Sequence, residues 1–117
     1  MLYDKYYKGY EGETQIRFET GASQLVIWEG YIYTLMEDMF DQGLKILSDY
    51  YSSEDDDNWE IENLDNAIAQ FRLFDLNKIP KEELTSISAT LPGVVKEIVS
   101  FLSKALFQNR KVYISKD

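Results

Sequence analysis

Apolar residues recur at helical spacing over three long stretches of this chain. In residues 30–50, 61–74 and 94–106 they repeat every three to four positions, with polar residues between them. This period predicts three helices that pack their apolar sides together. The predicted core consists of Ile32, Leu35, Met39, Leu47, Leu64, Ile68, Phe71, Ile98, Leu102 and Leu106.

The ends of these helices are predicted from capping and breaking residues. Asp57, with Glu60 three positions later, is typical of an N-cap that opens the second helix. Pro80, followed by carboxylates, predicts a restart after a break at 76–79. Residues 91–93, Leu-Pro-Gly, predict an interruption before the last helix, since proline removes a backbone donor.

Alternation with a period of two is confined to shorter segments. Residues 14–20 alternate Ile16 and Phe18 with polar residues, which predicts a half-buried strand. Residues 25–28 fit either a strand that closes a hairpin with 15–19 or the start of the first helix. Residues 111–115 are compatible with a short strand that pairs with the N-terminal one. The patterns together predict a mainly α fold, a small helical domain with a short N-terminal β element, and α+β is the alternative.

Length and composition fit one domain over residues 1–117. The chain has 44% hydrophobic residues, enough to bury a core. It has no cysteine, which fits a reducing compartment. No apolar run approaches the ~18 residues of a membrane span, and the start lacks the apolar core of a signal peptide. We therefore expect a cytoplasmic protein that does not bind membranes.

Charge is unevenly distributed along the chain. The formal net charge is −9, but residues 18–71 hold thirteen acids against one base, Lys45. Nucleic acid is not expected as a ligand, because its phosphates need a basic face. A basic protein is the natural complement of this composition, while the oligomeric state stays open.

The residue types that most catalytic and metal sites require are missing. Without histidine and cysteine, the usual hydrolytic triads and zinc-finger ligation are excluded. A calcium loop starting at Glu54 fails because its sixth position, normally glycine, is Trp59. We expect no enzyme activity, no cofactor and no metal.

One acidic run stands out as a candidate binding surface. Residues 49–65 hold eight carboxylates and no base, with large aromatic residues among them. Acids steer a basic partner, and aromatic side chains supply contact area. The predicted partner-binding residues are Tyr50, Tyr51, Glu54, Asp55, Asp56, Asp57, Trp59, Glu60 and Glu62. The alternative is a solvated loop in which Trp59 is a core residue.

This run resembles the toxin-facing segment of the colicin DNase immunity proteins. The resemblance consists of Tyr50-Tyr51, then four acids at 54–57, then an amphipathic stretch over 61–74. The proline that follows the tyrosine pair in that family is Ser52 here. The resemblance implies a small acidic protein that covers a basic nuclease with tyrosines and carboxylates.

The favoured hypothesis is therefore an immunity or antitoxin-like inhibitor that neutralises a basic toxin domain by occluding its active surface. One alternative is an adaptor or regulatory module without a toxin partner. A second alternative is a small enzyme that uses carboxylates and a metal.

Overall fold

The structure, a computed structural model, describes residues 1–51 and 59–117 and contains five strands and four α-helices in these ranges. The strands are β1 Leu2–Tyr3, β2 Gln15–Glu19, β3 Gln24–Trp28, β4 Trp59–Glu60 and β5 Tyr113–Lys116. The helices are α1 Glu29–Asp41, α2 Ile46–Tyr51, α3 Leu64–Leu73 and α4 Ser86–Phe107.

The strands form one mixed sheet in the order β1-β3-β2-β5-β4. β1 runs parallel to β3, and the other neighbours are antiparallel. The described helices share a core with one face of this sheet. The fold is therefore α+β, and the prediction of a mainly α fold is wrong.

The open question over residues 25–28 is resolved in favour of a strand. β2 and β3 form a hairpin in which Phe18 lies opposite Leu25. The turn is closed by the N–H of Thr20, which donates to the carbonyl of Ser23 at 2.9 Å. The hydroxyl of Thr20 in turn accepts from the N–H groups of Ala22 and Ser23. Residues of this type favour such turns because their side chains bond to nearby backbone.

The core lies between the inner face of the sheet and the helices. Ile16, Phe18 and Ile27 are fully buried there, so the predicted strand at 14–20 is confirmed. Eight of the ten predicted core residues are also buried, and Leu64 is half-buried. Leu106 is 37% exposed, so its assignment is wrong. Ala105 takes the inward position in that last turn, because each residue rotates the side chain by about 100°.

The first predicted helix is divided at Gly43. There α1 ends in a Schellman motif: the N–H of Leu44 donates to Met39 at 2.8 Å, and that of Gly43 to Phe40 at 2.9 Å. Gly43 has a φ of 81°, which glycine adopts without the steric cost of a Cβ. The side-chain oxygen of Gln70 then accepts from the N–H groups of Lys45 and Ile46, where α2 begins. The continuous helix over 30–50 is therefore two helices.

Three predicted helix boundaries are also corrected. α3 begins after Asn63, whose side chain accepts from the N–H of Asn66, while Glu60 lies in a strand and Asp57 lies outside the described residues. Residues 81–83 form only a short 3₁₀ turn. α4 runs through Pro92 without interruption. Pro92 is exposed, and burial of Leu91 and other neighbours on the opposite side outweighs its lost hydrogen bond.

Four aromatic rings hold the N-terminal segment against the start of α1. Tyr10 stacks on Trp28 with ring centroids 3.9 Å apart, and Tyr31 lies edge-on to both. Tyr6 packs edge-on against Tyr31 at 6.1 Å. Such pairs stabilise by about 0.5–1.5 kcal/mol beyond their buried area. The cluster fixes where β3 ends and α1 begins.

We expect Leu102→Ala to lower the free energy of unfolding by about 2–5 kcal/mol, because it empties a fully buried position. Leu106→Ala, on the exposed side of the same helix, serves as the matched control and should cost much less. Denaturant unfolding of both variants measures the difference. Equal losses would show that the inner side of α4 is assigned wrongly.

We expect Gly30→Ala to destabilise the protein, although glycine-to-alanine changes within helices usually stabilise by up to ~1 kcal/mol. A Cβ at Gly30 would overlap the ring of Trp28, whereas one at Gly21 would meet only Arg110 at 3.7 Å. Gly21→Ala is therefore the control.

Thermal unfolding and the fluorescence of Trp28, in a Trp59→Phe background, follow the two glycine variants. A stabilised Gly30→Ala variant with unchanged fluorescence would contradict this packing.

Candidate protein-binding surface

The second described part of the acidic run, from residue 59 onward, begins with the edge strand β4. Trp59 pairs with Ile114 and Glu60 with Tyr113. Immediately after the strand, the N–H of Ile61 donates to the carbonyl of Val112 at 3.0 Å. These bonds fix the segment against β5 and set which side chains point inward.

The two described aromatic side chains of the run point into the protein. Tyr50 is only 5% exposed, and its ring lies 5.8 Å from that of Trp59. Trp59 is half-buried and packs against the core. In this structure Tyr50 therefore offers a partner almost no contact area. For Trp59 the arrangement matches the alternative interpretation of a core residue.

The carboxylates beside them point the other way. Trp59 and Glu60 are both half-buried, Ile61 is buried and Glu62 is exposed. Alternate side chains of an extended segment lie on opposite faces. Glu60 and Glu62 thus lie on the side away from the aromatic rings. The described residues of the run do not combine aromatic and acidic groups on one surface.

The other predicted partner-binding residues are outside this description. Tyr51 ends α2, but its side chain is not among those described, and the same holds for Glu54, Asp55, Asp56 and Asp57. That these nine residues bind a partner stays a prediction.

A surface that does combine exposed aromatic and acidic side chains lies on α1. Tyr33, Glu37, Phe40 and Asp41 are all exposed, and we call them the α1 outer face. Their spacing of four, three and one places them on one side of the helix. Tyr33 is 50% and Phe40 55% exposed, whereas the opposite side of the helix is fully buried.

Asp38 lies beside this face and is half-buried. Burial raises its pKa, and the neighbouring carboxylates Asp41, Glu37 and Glu83 raise it further. Its Oδ2 atom is buried and accepts no hydrogen bond from the described residues. A cavity of about 310 Å³ adjoins it, and its lining includes Asp38, Asp41, Glu83 and one cation, Lys78. The carboxylates around Asp38 therefore oppose its ionisation.

The amino-acid sequence also marks the α1 outer face, through aromatic residues on the polar side of a predicted helix rather than through a run of acids. Glu37 and Asp41 mark the polar side of the predicted helix. Tyr33 and Phe40 are seven residues apart, two turns, and lie on that same polar side. Aromatic residues at the outer positions of an amphipathic helix depart from the usual pattern.

A second cavity lies between the sheet and α4. Its volume is about 170 Å³, and Leu25, Phe101, Glu97 and Lys104 are among its lining residues. Small-molecule sites usually measure about 300–1,000 Å³. This cavity is therefore small for an organic ligand.

Among the acidic side chains that the structure describes, no group of three or more is arranged to hold a metal ion. In the same ranges no helix is both long and apolar enough to cross a membrane.

Comparisons with protein-family models, with curated proteins and with solved structures gave no match.

We expect Asp38→Asn to stabilise the protein at neutral pH. A raised pKa means that the folded state binds the proton more tightly than the unfolded state. At a pH above the pKa of Asp38 in the folded state, the ionised carboxylate therefore lowers the stability of the fold. This loss disappears as pH falls below 3.8, the ordinary pKa of the group.

Thermal unfolding at pH 7 and pH 3 tests the effect of Asp38→Asn. The variant should melt above the wild type at pH 7, with the gain reduced at pH 3. Asp65→Asn, at an exposed acid in the first turn of α3, is the control and should not gain stability at pH 7. A variant at Asp38 that loses stability at pH 7 would contradict the proposed cost of its charge.

Proposed function

We propose that this chain is a small acidic inhibitor that binds a basic protein domain and occludes its active surface, as an immunity protein does for its toxin. The partner's lysines and arginines, which otherwise hold phosphates or a similar anion, would pair with the carboxylates of this chain. Inhibition would follow from covering that surface, with no chemical step.

The supporting observation is a set of exposed and half-buried carboxylates that form no ion pair within the described residues. The ion pairs found there are Arg17 with Glu19 and Asp117, and Lys116 with Glu29. None of them involves the acids at residues 37–41 or 60–62. These unpaired acids are Glu37, Asp38, Asp41, Glu60 and Glu62.

Carboxylates without cationic partners repel one another and thereby destabilise a compact fold. A basic partner relieves that repulsion, so the charges favour the complex over the free protein. Their field also guides the approach of a basic partner over about a Debye length, ~8 Å at physiological ionic strength. The resemblance of residues 50–57 and 61–74 to the colicin DNase immunity proteins supports a toxin domain as the partner.

Affinity capture from the native host, followed by mass spectrometry, identifies the partner. We expect a basic protein whose own activity is lost when this chain is added at equal concentration. Raising the salt concentration should lower the association rate far more than it raises the dissociation rate, because screening weakens steering.

A control uses the captured protein's activity in the presence of a size-matched acidic protein of unrelated fold. If this chain and the unrelated acidic protein both abolish the partner's activity, the inhibition is general charge neutralisation rather than specific binding. A captured partner that is not basic, or one that stays fully active in the complex, would favour the adaptor alternative.

A further inference from the structure

We infer that the α1 outer face is a docking site for a basic segment that carries apolar side chains among its lysines or arginines. This inference rests on the proposed function, since it assumes a basic partner, and it adds where that partner binds and which chemistry it presents.

The first argument is the two-sided apolar character of α1. The inner side buries Ile32, Leu35 and Met39 completely, so the helix needs no further apolar residues to hold its place. Tyr33 and Phe40 nevertheless expose about half of their surface on the opposite side. Aromatic side chains in such positions are typical anchors of protein interfaces.

The second argument is the position of the acids relative to those rings. Glu37 lies one helical turn from both Tyr33 and Phe40, and Asp41 follows Phe40 directly. An occupant of this face must therefore contact aromatic rings and carboxylates together. Side chains of lysine and arginine do so, because an apolar stem ends in a cation that also stacks on aromatic rings.

The third argument is that the acids do not serve the helix itself. Glu37 and Asp41 are four residues apart, a spacing at which like charges destabilise a helix. Asp38 and Asp41 lie in the last turn, which holds no basic residue. The helix dipole disfavours negative charge there. Cations bound on this face would reverse both unfavourable interactions.

Elsewhere in the described chain, one exposed aromatic residue and two exposed acids each provide one part of this combination. Phe107 is 90% exposed but lies one turn from Lys104 at the end of α4. Asp65 and Glu82 are exposed acids on α3 and in the 3₁₀ turn at Lys81–Glu83. These residues provide matched controls for the aromatic and the acidic parts of the α1 outer face.

Two short synthetic peptides test the proposal, one of lysine and leucine with an amphipathic helical pattern and one with serine in place of each leucine. We expect the full-length protein to bind the first peptide more tightly than the second at ~0.15 M salt. Phe40→Ser should weaken binding of the lysine–leucine peptide at least about tenfold, whereas Phe107→Ser should change it less than about twofold.

The acids are tested by the double variant Glu37→Gln, Asp41→Asn against the control Asp65→Asn, Glu82→Gln, which removes the same net charge. Only the first should slow association several-fold and reduce its salt dependence. Circular dichroism melts of all variants confirm that they are folded.

Three outcomes would overturn the inference: equal effects of the two double variants, equal binding of the two peptides, or no binding of the lysine–leucine peptide to the wild type. Each leaves the proposed function intact, because capture of an inhibited basic partner tests it independently. The same four variants, measured with the captured partner, then show whether that partner uses the α1 outer face.

Discussion

The pairing of β2 with β5 is the contact on which the rest of the sheet depends. It joins a strand near the start of the chain to one at its end, with Phe18 opposite Ile114 in the core. β4 has its described pairing only with β5, so the segment that carries Trp59 is positioned by the last residues of the chain. Arg17 reinforces the pairing at the surface through an ion pair with Asp117.

The dependence of the sheet on pairing between strands explains why the fold class was mispredicted, although several elements were predicted correctly. The alternation at 14–20 marks a strand locally, and the helical periods mark the cores of α1, α3 and α4. Residues 25–28, in contrast, are apolar at every position and fit either period. Their strand conformation comes from pairing with β2, a contact that local patterns do not contain.

The candidate site was predictable in composition but not in orientation. A charge run identifies where acids are frequent, and Tyr50 and Trp59 lie among them. Which way Trp59 points depends on the register of β4 with β5, because a shift of one residue would turn Trp59 outward and Glu60 inward. The buried inner side of α1 was predicted correctly. Phe40 indicates a binding surface only once this inner side is known, because only then is Phe40 seen to lie on the exposed side.

The ends of α1 determine how well its outer face is suited to binding. The aromatic cluster around Trp28 and Tyr31 fixes the start of the helix, and the Schellman motif at Gly43 fixes its end. Between them, the buried side holds the helix against α4 and the sheet. Side chains on a backbone held in this way lose little conformational freedom when a partner binds, so less of the contact energy is spent on ordering. The acids of this face oppose the stability of the free helix, whereas the packing beneath them supplies the rigidity that a complex would use.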